Sequence, residues 1–142
     1  MIYINKADLI TYIQELLLNS SITGEDRQPD ETILDKVEKE TIDLVKGYLS
    51  GRYQVNKIFD ETPVLRNGIL VQIICKIVIY HVVRRNAARK VPEDFDTFYS
   101  SAIALLERVQ TGAPALDNLP VVTGESGASL VYGNNTNPDF FI

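Results

Sequence analysis

The residue types that could do chemistry are few and scattered. The chain has one histidine, His81, and one cysteine, Cys75. His81 is followed by Val82 and Val83, and no Cys/His cluster exists for it to join, so it is expected to pack as a neutral imidazole. Cys75 lies between Ile74 and Lys76 in the most apolar run and is expected to be a small core residue, with no disulfide partner. The carboxylate pairs Asp30/Glu31 and Glu93/Asp94 stand at helix starts, where capping accounts for them. The loop TGEDRQPDE lacks the ligand spacing and central glycine of a calcium loop. No serine sits in a nucleophile-elbow setting. An enzyme is therefore not expected, and no cofactor or metal is implied.

Two patterns remain. One is Gly47-Tyr48-Leu49-Ser50-Gly51-Arg52-Tyr53, two glycines four residues apart. Glycine loops that cradle phosphate precede a helix, whereas these end one. The spacing predicts Gly51 just beyond the helix in a left-handed backbone, and Gly47 as a point of close packing. The other is the basic run Arg84, Arg85, Arg89 and Lys90. It could touch nucleic acid, but it lacks interleaved aromatics, and pairing with acids of this chain or of another copy is the plainer expectation.

The elements that must position these residues are helical. Asn5 caps a first helix whose Leu9, Ile13, Leu16 and Leu17 share a face. A second helix is predicted from about Pro29–Thr32 to Leu49, with Leu34, Val37, Ile42, Val45 and Leu49 inward and Asp35, Glu38, Glu40 and Asp43 on a solvated face. Thr62-Pro63 should open a third, Val64 to about Lys90, apolar nearly all round except for the line Gln72, Lys76, Tyr80 and Arg84. Such a rod asks for cover from sister helices and from another copy of the chain. Pro92 opens a fourth, closed by Gly112. The fold class expected is all-α: a small bundle of about four helices around a long apolar one, with residues 1–112 as the helical domain. Residues 113–142 are expected to form an extended arm with a possible short strand at Ser129–Tyr132. Its Tyr132, Phe140 and Phe141 make sense if the arm lies on a partner.

Charge adds a pattern. The net −5 is divided as −5 over residues 1–63, +6 over residues 64–90 and −6 over residues 91–142. Acid–base–acid order invites pairing within or between copies and argues against a general nucleic-acid binder. The longest apolar run is shorter than the ~20 residues of a membrane span and contains Lys76. The opening MIYINKADL lacks a basic region followed by an apolar block, so a soluble protein, intracellular when made, is expected.

The ordered layout resembles a known family. The opening MIYINKADL, the acidic loop, IDLVKGYLSGRY, a proline-led apolar helix ending in YHVVRRNAARKVPEDF and a closing amphipathic helix are together similar to the Mu-prophage-type Gp36 family. Those proteins are similar to head–tail connector (head completion) proteins of tailed phages. Where the family often has Leu-Pro after the Arg-Tyr pair, this chain has Gln54, Val55 and Asn56. The resemblance implies a virion protein at the head–tail junction, assembled in the host cytoplasm. Copies would form a ring beneath the portal protein, monomeric until recruited, that meets a neck or tail protein and lets DNA pass without sequence-specific binding. It implies structural roles for Gly47, Tyr48, Gly51, Arg52 and Tyr53, with the tyrosines anchoring the helix end and Arg52 pairing with an acid or a carbonyl. The alternative is a helical nucleic-acid-binding module using Arg84, Arg85, Arg89 and Lys90.

Overall fold

The computed structural model describes residues 1–85, 91–112, 115, 116 and 118–122. Among them are six helices and no sheet: α1 (Lys6–Ile10), α2 (Glu15–Ser21), α3 (Glu31–Leu49), α4 (Val55–Phe59), α5 (Gly68–Arg84) and α6 (Glu93–Thr111). The fold is all-α, as expected, with α5 at its centre and α1, α2, α3 and α6 packed around it.

The first helix is two. Asn5 and Asp8 form the capping box that opens α1, but the helix ends at Ile10 and the chain extends at Gln14 before α2. The break lets Leu9, Ile13, Leu18 and Ile22 all turn inward. It turns Leu16, expected on the same face, outward, 80% exposed.

The apolar helix starts later than Thr62-Pro63 suggested. The Thr62–Pro63 bond is cis and residues 62–67 form a loop. Asn67 is the cap: its Oδ1 accepts from the amides of Ile69 (2.9 Å) and Leu70 (3.3 Å). Two N-terminal residues hold this loop. The buried Tyr3 hydroxyl donates to the Leu65 carbonyl (2.8 Å) and accepts from the Asn67 amide (2.9 Å). Asp8 binds Arg66 at 3.0 Å.

Leu70, Ile73, Ile74, Cys75, Ile77, Val78, Ile79, Val82 and Val83 of α5 are all buried by the chain itself. The rod therefore does not need a second copy to cover it. Residues beyond Gly112 also join the core, since Leu116 and Leu119 are buried in it. The Leu116 amide donates to the buried Tyr53 hydroxyl (3.0 Å), and Asn118 bridges the Arg66 carbonyl and Asn67. Residues 120–122 then pair antiparallel with 52–54 through the Gln54 amide to the Pro120 carbonyl and the Val122 amide to the Arg52 carbonyl, both 2.9 Å.

Glu38 departs furthest from expectation. Placed on the solvated face of α3 by its spacing, it is 2% exposed. Its carboxylate accepts the amides of Ile2 (2.7 Å), Tyr3 (3.0 Å) and Ile4 (2.8 Å). The extended N-terminal segment has no helix or sheet partner for these three donors, and one anionic acceptor satisfies them all. Glu38→Ala is therefore expected to lower the unfolding free energy by about 2–4 kcal/mol in urea titration and to speed amide exchange at Ile2–Ile4. A loss under about 1 kcal/mol would show that the clamp is not needed.

Candidate functional site

Burial pushes the Cys75 thiol up to about 12, which leaves almost no thiolate at neutral pH. His81 is exposed on α5, but partial desolvation of its ring, and then the neighbouring Arg84 charge, hold it below its usual value, so it is mostly neutral near pH 7. Its ring stands edge-on to Tyr80 (5.4 Å) and Tyr99 (5.6 Å). Among the described residues no group of three or more His, Cys, Asp or Glu is placed to hold a metal ion. No helix of the structure is long and apolar enough to cross a membrane.

The sequence pattern Gly47–Tyr53 covers the last turn of α3 and the turn that leads to α4. Tyr53 is 3% exposed and receives the Leu116 amide, so it anchors the segment that follows α6. Tyr48 is half-buried against the core. Among the described residues Arg52 makes no ion pair. Its guanidinium lies instead against Gly112: a Cβ there would fall 2.8 Å from Nη2 and 2.9 Å from Cζ. Gly112 caps α6 in a left-handed backbone, φ 101°. A cation at that point also faces the negative end of the α6 dipole.

The two motif glycines do something other than expected. Gly51 does not have positive φ; among the described glycines Gly112 alone does. The α3 terminus is closed by Ser50 in a right-handed conformation, with its amide bonded to the Lys46 carbonyl, so no left-handed residue is required. Gly47 is exposed on α3, and nothing lies within 4 Å of a Cβ added at either Gly47 or Gly51. The close packing expected at Gly47 is absent from the fold.

The basic end of α5 is only partly described. Arg84 points to Tyr80, its Nη1 3.4 Å from the hydroxyl and its Cζ 5.9 Å from the ring centroid. Arg85 donates to the Ser21 carbonyl, tying α5 to α2. Arg89 and Lys90 lie outside the described residues, as do Tyr132, Phe140 and Phe141 and the strand expected at Ser129–Tyr132. The aromatics that the sequence did not show beside the basic run come from α6: Tyr99 stacks on Tyr80 at 4.3 Å. Tyr80 and Tyr99 lie nineteen residues apart on different helices, and such a pairing leaves no local sequence signal.

One family model, described as Bacteriophage Mu, Gp36, matches residues 3–127. No curated protein matches the chain.

Gly112 and Gly51 are separable by experiment. Gly112→Ala is expected to destabilise the chain by about 1–2 kcal/mol, through its positive φ and the Arg52 guanidinium. Gly51→Ala is expected to stay within about 0.5 kcal/mol of the parent. Thermal melting compares them; a Gly51→Ala loss as large as that of Gly112→Ala would restore a strained terminus at α3.

Proposed function

The chain belongs to the Bacteriophage Mu Gp36 family, and we propose that it acts as a structural protein of the phage particle. In this role several copies form a ring at the head–tail junction beneath the portal, extend the DNA channel and present a surface to the next neck or tail component. The observation that carries the proposal is the family match over residues 3–127. The ordered helical layout that resembles head completion proteins supports it. A net charge of −5 suits a channel wall along which DNA moves, because attraction to phosphate comes from Lys and Arg.

The buried α5 gives no support for self-association, since the chain covers it. Support comes from the end of α3 instead. Gly47 weakens a helix by roughly 0.5–1 kcal/mol relative to alanine, and Gly51 costs chain entropy. Neither is needed by a turn or by an internal contact. Bare backbone on an exposed face is useful where another chain approaches closely. Leu44, 38% exposed, stands three residues before Gly47 on the same side of α3 and would flank such a contact.

Electron microscopy of the purified chain mixed with its portal protein tests the role, with rings on the portal as the expected result and persistent absence of a complex as the contrary one. The α3 face is tested apart from it. Gly47→Ala is expected to raise the stability of the isolated chain by about 0.5–1 kcal/mol. Gly47→Arg is expected to fold and yet fail to assemble. Rings of Gly47→Arg indistinguishable from the parent would remove this face from the contact while leaving the proposed role standing.

A further inference from the structure

Exposed apolar side chains gather around the loop that precedes α5. Ile2, Leu65, Val121 and Val122 are among the large apolar residues that the described fold leaves in water, and Ile2 and Val121 are more than half exposed. They come from three segments distant in sequence. Two shallow troughs, of about 600 Å³ and about 610 Å³, lie on either side of the exposed Pro63 and share it as a wall. Ile2 and Val64 stand on the first, Leu65 and Pro120 on the second. Val121 and Val122 continue from Pro120 along the short pairing with residues 52–54. Single apolar residues on a surface need no explanation, but a group drawn together from three segments does.

We infer that this surface is the docking site of the same chain's residues 123–142, which lie outside the described residues. Val122 is itself part of the surface, so the segment begins where the exposed apolar side chains are. It brings Leu130, Val131, Tyr132, Phe140, Phe141 and Ile142. An extended chain runs from Val122 to Leu130 over up to about 26 Å and to Phe140 over up to about 60 Å, so both apolar groups can reach the troughs. Charge neither draws nor repels the segment. Glu125 and Asp139 are its only charged side chains, and at the troughs Lys57 and Glu61 oppose each other while Asp60 is paired with Lys46. Removal of apolar surface from water therefore decides the contact. A tethered segment has an effective concentration on the order of millimolar, which favours the chain's own segment over that of a second copy. The inference does not depend on the ring at the portal.

The test compares amide NMR spectra of the isotope-labelled full chain with those of a full-length variant carrying Leu130→Ser, Tyr132→Ser, Phe140→Ser and Phe141→Ser. Docking predicts shift changes at Ile2, Val64, Leu65 and Val121, all remote in sequence from most of the substitutions, and a several-fold rise in bis-ANS fluorescence as the surface is uncovered. In the reverse direction, Ile2→Ser and Val121→Ser are each expected to shift the amides of residues 130–132 or 140–142. Tyr132→Ser alone should give part of the same changes if the multiple variant aggregates. Shift changes confined to the substituted residues and their sequence neighbours would overturn the inference. So would signals of Ile2, Val64 and Leu65 that move toward their variant positions when the parent is diluted, since the surface would then belong to a second copy.

Discussion

A helix that is apolar on nearly every side cannot be left in water, and the arrangement of this chain follows from that constraint. Nine residues of α5 are fully out of solvent. Fully burying a side chain of the size of leucine or isoleucine stabilises by roughly 1.5–3 kcal/mol, so no other interaction in the molecule competes with the need to cover this one. Each neighbour covers a different side: α3 and α6 supply the longest faces, α1 and α2 close another, and Leu116 and Leu119 pack on after α6 has ended. The extended N-terminal segment of residues 2–4 is brought in with them, and its amides then need acceptors away from water. Glu38 meets that need. A charge inside the protein is costly by itself, but three charge-assisted hydrogen bonds make it the pivot between the N-terminal segment and α3.

Elements with strong local signals were legible in the sequence. The stripe Leu34 to Leu49 and the start near Thr32 correspond to α3, and Pro92 and Gly112 bound α6 as read. What misled was chemistry that local pattern cannot weigh. Thr62-Pro63 is a good helix start in isolation, but Asn67 offers an equally good cap, and the loop before it is claimed by Tyr3 and Asp8 from over fifty residues away. The helical period ran straight through Thr11–Gln14, although burying both Ile13 and Leu18 requires a break there. Glu38 has the spacing of a solvated residue, and only the arrival of the distant N-terminal segment explains its burial. The short α4 has five residues and no period to read. Of the candidate site, Tyr53 and Arg52 were visible as a motif, while their partners Leu116 and Gly112 were not, because those contacts join segments sixty residues apart.

Once the core is closed within one chain, what remains for other molecules is what the core does not use. The end of α3 keeps two glycines that neither turn nor packing requires. The proposed role is consistent with such a division, a self-sufficient fold with surface features that the core does not require. The net charge is negative, while the sequence gathers its positive charge in residues 64–90.

One chain covers its own apolar helix, and equilibrium unfolding across protein concentration tests this most directly. If the core is complete within a single copy, the urea midpoint of the full chain stays the same from about 1 to about 100 μM, because unfolding then involves no dissociation. A midpoint that climbs steadily with concentration would mean that folding and association are linked and that α5 depends on a second copy after all.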